Sequence, residues 1–219
     1  MIISHHGVEF FKVQFGDTIL AFNPISKESE YKQTRFGADI ALISLNDKDF
    51  NGEENVGRGD RMPFVISGPG EYEVGGVIVK GFLSQSNYGG KERINTIYYV
   101  SLEGMNLCFL GAINSTEIGK EASEAIEAIE AIEDIDILFV PIGGDGVLDS
   151  SDAYKVAVNL EPKIIIPMHY GEVGGKEALK MFLKEGGSSS VAPVDKLTIK
   201  KKDLEGKESE IVVLAPNNS

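Results

Sequence analysis

The sequence predicts an α+β fold: two β-sheets packed face to face with helices outside, in a single domain spanning residues 1–219. Three observations predict it. Short apolar runs separated by glycine-containing turns fill the first half, as meandering strands do. From residue 116 onward, helical periodicity alternates with continuous apolar runs. Nothing between the halves reads as an interdomain linker, so both belong to one layered core.

The strands of the first half are expected over Ile2–Ser4, Phe10–Phe15, Ile19–Phe22, Asp39–Ser44, Phe64–Ile66, Val77–Lys80, Thr96–Ser101 and Asn106–Leu110. Gly16-Asp17 and Glu103-Gly104, each short and set between apolar runs, are hairpin turns. SGPGEY, residues 67–72, reads as a Pro/Gly turn.

From Thr116 to Glu133 the triplet Glu-Ala-Ile repeats three times. Helical spacing puts Ile126, Ile129 and Ile132 on one face and Glu124, Glu127, Glu130 and Glu133 on another, an amphipathic helix with an acidic solvated side. DIDILFVPIGG follows as a buried strand. Ser150 or Ser151 then caps a helix carrying Ala153, Val156, Ala157 and Leu160. PKIIIPMHYG is a second buried strand, ending at His169, and Lys176–Glu185 is a helix stopped by Gly186-Gly187. SSSVAP is a connector, and Lys196–Lys201 and Glu210–Leu214 close the chain as a hairpin.

The formal net charge of −13 repels phosphate backbones and anionic membranes, which argues against nucleic-acid and membrane partners. The locally basic KLTIKKKDLEGK alternates like a solvated edge strand. No apolar run reaches the roughly 18–20 residues that span a bilayer, and MIISHHGVEF lacks the layout of a signal peptide. A cytoplasmic protein is expected. Cys108, the single cysteine, sits in an apolar strand as a small buried hydrophobe.

Chemistry is to be sought where strands end in polar residues. ALISLNDKDFNG, residues 41–52, is such a place. Asp47, Asp49, Asn51 and Gly52 match half of a calcium loop, but Arg58 stands where the bidentate glutamate should be, which opposes a cation. PIGGDG lacks the lysine of a phosphate-binding loop and is a plain turn. His5 and His6 are adjacent and point to opposite faces of a strand, which disfavours a joint metal site. His169 ends a buried strand, where layered folds place catalytic groups.

In order and approximate spacing, GVEFFKVQFGDTILAFNP, GADIALIS, GPGEYEVGGVIVKG, NTIYYVSLEGMNLCFLG, DIDILFVPIGG and LEPKIIIPMHYG resemble the metallo-β-lactamase superfamily, in its Zn-dependent hydrolase branch near the ascorbate-6-phosphate lactonase-like proteins. The resemblance implies a four-layer αβ/βα sandwich with two mixed sheets. It also implies a zinc motif, H-x-H-x-D-H, at positions that here read Leu45, Asn46, Asp47, Lys48, Asp49 and Phe50. The family's bridging aspartate falls on Ala112, and Asn23 replaces the aspartate of an Asp-Pro pair. GFLSQSNYGG, where a middle histidine belongs, has none. Only Asp49 and His169 remain in place, with Asp47 in a histidine position.

Catalytic zinc takes three protein ligands, mostly histidine, and an open water position. By that count the expectation is no cofactor and no hydrolysis. The chain is then a binding or assembly module whose pocket, lined by Asp47, Asp49, Asn87 and His169, takes a small polar ligand; homo-oligomerisation would suit the fold. The rival is a rebuilt hydrolase in which Asp47, Asp49 and His169, with His5 or His6, hold manganese or magnesium. A weaker variant is metal-free acid–base chemistry by His169 with Asp49.

Overall fold

The computed structural model describes residues 1–115, 134–188 and 191–217. The helix expected over Thr116–Glu133 lies outside them. Two mixed sheets face each other. The first contains β1 (Ile2–His5), β2 (Phe11–Phe15), β3 (Thr18–Phe22), β4 (Ile40–Leu42), β5 (Phe64–Ile66) and β12 (Leu197–Thr198), in the order β12-β1-β2-β3-β4-β5. The second contains β6 (Gly70–Val74), β7 (Val77–Ser86), β8 (Arg93–Leu102), β9 (Met105–Phe109), β10 (Ile137–Pro141), β11 (Ile164–Met168) and β13 (Glu210–Ile211), in the order β13-β11-β10-β9-β8-β7-β6.

The period-2 rule builds the interface between the sheets. In β2, Phe11 and Val13 are buried while Lys12 and Gln14 are not. Phe11 meets Phe139 at 4.9 Å between ring centroids, and Phe22 meets Phe109 at 4.9 Å. β9, β10 and β11 run parallel, and all five residues of β10 and of β11 are buried, as expected of strands covered on both faces. Helices α1 (Ser150–Asn159) and α2 (Ala178–Glu185) supply the outer cover, with Ala153, Val156, Ala157 and Phe182 packed against Leu138, Val140 and Ile165.

Three local expectations are corrected. The N-cap of α1 is Asp149, whose carboxylate accepts from the N–H groups of Ser151 and Asp152 at 2.9 Å each. Ser150 is buried, and its hydroxyl is turned to the carbonyl oxygens of Ile142 and Ala178. The last two strands do not form a hairpin: β12 pairs with β1 and β13 with β11, in different sheets. The segment read as a turn at SGPGEY enters β6, which pairs along all of Gly70–Val74 with β7. Among the described residues no helix is long and apolar enough to cross a membrane.

Candidate functional site

Several strand ends converge around one cleft: the loop after β4 brings Asp47 and Asp49, the segment after β7 Tyr88, and the end of β11 His169, while Glu9 from the β1–β2 turn and Asn23 from the end of β3 are linked to it through His169. His169 leaves its strand with φ +60°, an uncommon backbone state for a residue other than glycine. Gly143 packs closely against it: a Cβ there would stand 2.2 Å from the His169 carbonyl oxygen.

Glu9 is fully buried, yet no hydrophobic environment leaves it bare. Its Oε1 lies 2.8 Å from His169 Nδ1, and its Oε2 accepts from the Asn23 side-chain amide at 2.9 Å. The same amide nitrogen donates to Ser44 Oγ at 2.8 Å, and Asn23 Oδ1 accepts from the Ser44 N–H at 2.8 Å. This explains asparagine at position 23. An aspartate would set a second carboxylate against Glu9, whereas the amide nitrogen donates to both Glu9 and Ser44 and the amide oxygen accepts from Ser44.

The loop after β4 is occupied the same way. Asp47 is held in an ion pair by Arg93 and also caps the turn, accepting from the Asp49 N–H at 3.1 Å. Asp49 is buried; Ser29 Oγ donates to one of its oxygens at 2.5 Å and Tyr88 Oη to the other at 2.7 Å. Tyr31 lines the same cavity as Tyr88. Burial, reinforced by the Asp49 carboxylate, pushes the Tyr88 hydroxyl pKa far up, so Tyr88 is a hydroxyl donor. Leu45, Phe50 and Ala112, at positions that the resemblance assigns to metal ligands, are buried in one apolar cluster with Val8 and Phe10.

What remains is a cavity of about 340 Å³ lined by Tyr31, Asp47, Lys48, Asp49, Tyr88, Gly89, Gly90, Asp145, His169, Val173 and Gly174. Of the four pocket residues expected from sequence, Asp47, Asp49 and His169 are brought together. Asn87 is exposed beside the cleft, and its neighbour Tyr88 enters the wall instead. His5 and His6 do point to opposite faces, and neither lines the cavity. His5 stacks on Phe11 at 4.5 Å, and His6 packs between Phe10 and Phe36. Burial lowers the pKa of each to about 4, so both are neutral hydrophobic-face residues at neutral pH.

Sequence reasoning missed Glu9, Ser29, Tyr31, Tyr88 and Arg93. Only Glu9 carried a signal: a lone acid between Val8 and Phe10 in an apolar stretch is not placed there by burial energetics.

Two sheets face to face, with a polar cleft at the strand ends holding a histidine and carboxylates, define the metallo-β-lactamase class of fold. The chain belongs to that superfamily: the family model described as the beta-lactamase superfamily domain matches residues 3–169. A UPF0173 metal-dependent hydrolase of Lysinibacillus sphaericus is 24% identical over 197 residues, 78% of this chain and 85% of that one. A UPF0173 protein of Pyrococcus abyssi is 43% identical over 44 residues, which span 20% of this chain and only 21% of the relative. Among solved structures, one assigned to the Zn-dependent hydrolases of the superfamily, from Thermotoga maritima, superposes with a TM-score of 0.72 at 26% identity and covers 97% of both chains. The metallo hydrolase Igni18 of Ignicoccus hospitalis, at 14% identity and a TM-score of 0.64 over 98% of this chain and 95% of that one, shares the fold alone.

These relatives correct the expectation of no cofactor, since they are named as metal-dependent hydrolases and metal is what the family's chemistry uses. The physical reason is that a count of missing zinc donors measures the loss of one geometry. It does not exclude an oxygen-preferring divalent ion, which keeps its own waters and binds through one or two carboxylates. Among the described residues no group of three or more His, Cys, Asp and Glu side chains converges as a metal site. Asp47 is spent on Arg93. Asp49, Asp145 and His169 are the candidate donors left on the cleft wall, and among the described residues they do not converge as the family's three-ligand zinc centre requires.

Proposed function

We propose that the chain is a ligand-binding member of the superfamily, in which the family's metal motif has been overwritten and the cleft beside His169 takes a small polar molecule without hydrolysing it. The observation that carries this reading is the state of the acidic groups. Asp47 is engaged by Arg93, Asp49 by Ser29 and Tyr88, and Glu9 by His169 and Asn23. Carboxylates so engaged brace a pocket, and apolar Leu45, Phe50 and Ala112 fill the ground where further donors would stand.

A second reading is favoured by one observation. A carboxylate behind a histidine Nδ1, as Glu9 is behind His169, is how metal-ligating histidines are commonly oriented. On that reading the site is a rebuilt metal-dependent hydrolase on Asp49 and His169, completed by water or substrate.

Turnover separates the two. Phosphodiester, lactone and β-lactam probes are incubated with the protein in the presence of zinc, manganese or magnesium. Absence of turnover with each metal, together with ligand-induced thermal stabilisation, supports binding without hydrolysis. Metal-dependent turnover that Asp49→Asn and His169→Ala both remove establishes the second reading instead.

A further inference from the structure

We propose that the cleft beside His169 recognises a small organic cation, with the Asp49 carboxylate as counter-ion and the rings of Tyr31 and Tyr88 as walls. This rests on the binding reading above and adds the chemical class of the ligand.

The charges point there first. Three aspartates line the cavity, and one of them, Asp47, is neutralised by Arg93. Asp49 is only 6% exposed, and among the described residues its carboxylate receives two neutral hydroxyl donors, from Ser29 and Tyr88. Among the described residues neither Asp49 nor Asp145 takes part in an ion pair with Lys or Arg. Lys48 is on the same wall, but it is exposed to solvent. A carboxylate buried without a cation costs free energy that a cationic ligand would offset. Asp49 has room to accept one, because a carboxylate offers about four lone-pair directions and two are taken.

The walls point the same way. Tyr31 and Tyr88 both line the cavity, and the Tyr88 ring is held by edge-on contacts with Phe50 at 4.9 Å and with His169 at 5.4 Å. Aromatic faces beside a carboxylate attract an ammonium through the ring quadrupole. The same faces repel an anion, and a divalent ion that keeps its waters gains little from them. His169 supplies a polar contact for the rest of the ligand: its Nδ1 is taken by Glu9, and among the described residues no protein group bonds its Nε2. At about 340 Å³ the cavity suits a small metabolite-sized molecule.

The test is calorimetric titration of the protein with choline and methylammonium chlorides. In parallel it is titrated with 3,3-dimethyl-1-butanol (the neutral isostere of choline), inorganic phosphate, and magnesium and manganese chlorides. At least one ammonium probe is expected to bind, at least about tenfold more tightly than the neutral isostere. Asp49→Asn and Tyr88→Leu should each weaken that binding by a similar factor. Should either variant fail to fold, perturbation of the His169 ring resonances by choline in the unaltered protein reports the same site. Equal binding of the isostere, preference for phosphate, divalent-ion binding that excludes the ammonium probes, or no binding by any probe would each overturn the cationic inference. The first two leave the binding reading standing, whereas metal-dependent turnover of the hydrolytic probes removes that reading itself.

Discussion

His169 Nδ1 and Glu9 Oε1 lie 2.8 Å apart in a buried pair that joins positions 160 residues distant in sequence. The pair ties the end of β11, in one sheet, to the turn between β1 and β2, in the other. The backbone supports it, since the His169 N–H donates to the Val8 carbonyl at 2.9 Å. Because Glu9 accepts at Nδ1, it sets which ring nitrogen is offered to the cleft.

Glu9→Gln keeps the shape of the side chain and removes its charge. The Gln amide presents a donor on one side, so one of the two contacts, to His169 or to Asn23, is left without its partner. A loss of about 1–3 kcal/mol in chemical denaturation is expected. Nitrogen-15 NMR should show His169 as the Nδ1–H tautomer in the unaltered protein and a shifted population in the variant. An unchanged tautomer would mean that Glu9 does not orient the ring.

Acid should destabilise the fold through His5 and His6. Both have pKa values lowered from 6.5 to about 4 by burial. The unfolded chain therefore binds protons at higher pH than the folded chain does. The stability from keeping these rings neutral is full above pH 6.5 and is lost as pH falls towards 4. Each unit of difference corresponds to about 1.4 kcal/mol. A urea midpoint that declines between those pH values, and declines less in His6→Phe, is the expected result. His6 is the more informative choice, because its Nδ1 is buried without a partner among the described residues.

Glycine at position 52 is required by close approach. A Cβ on Gly52 would stand 2.3 Å from the carbonyl carbon and oxygen of Ile25, so the loop carrying Asp47 and Asp49 would have to move. Gly52→Ala should cost more than about 1–3 kcal/mol in thermal or urea unfolding. Gly68→Ala, where a Cβ meets nothing within 4 Å, should be close to neutral.

Cys108 should behave as core. It is fully buried in β9, and burial raises its thiol pKa to about 12. A disulfide-exchange reagent should leave it untouched in native buffer and label it stoichiometrically in denaturant. Rapid labelling of the native protein would show that the second sheet opens.

The sequence determined the frame. Alternation in Phe11–Phe15 and continuous apolar runs at Ile137–Pro141 and Ile164–Met168 announce one half-buried strand and two fully buried ones. The turns at Gly16-Asp17 and Glu103-Gly104 fall where hairpins form between β2 and β3 and between β8 and β9. It also marked Asp47, Asp49 and His169, because polar residues just past apolar strands are visible along the chain. These are local signals, set by side-chain periodicity and turn chemistry. The tertiary structure alone decided which polar groups engage each other: Arg93 with Asp47, Glu9 with His169, and, among the described residues, only hydroxyls with the Asp49 carboxylate. It also decided that β12 and β13 part into different sheets. Those outcomes depend on distances between residues far apart in the chain, and pairing across a cleft leaves no periodic trace in the sequence that folds to make it.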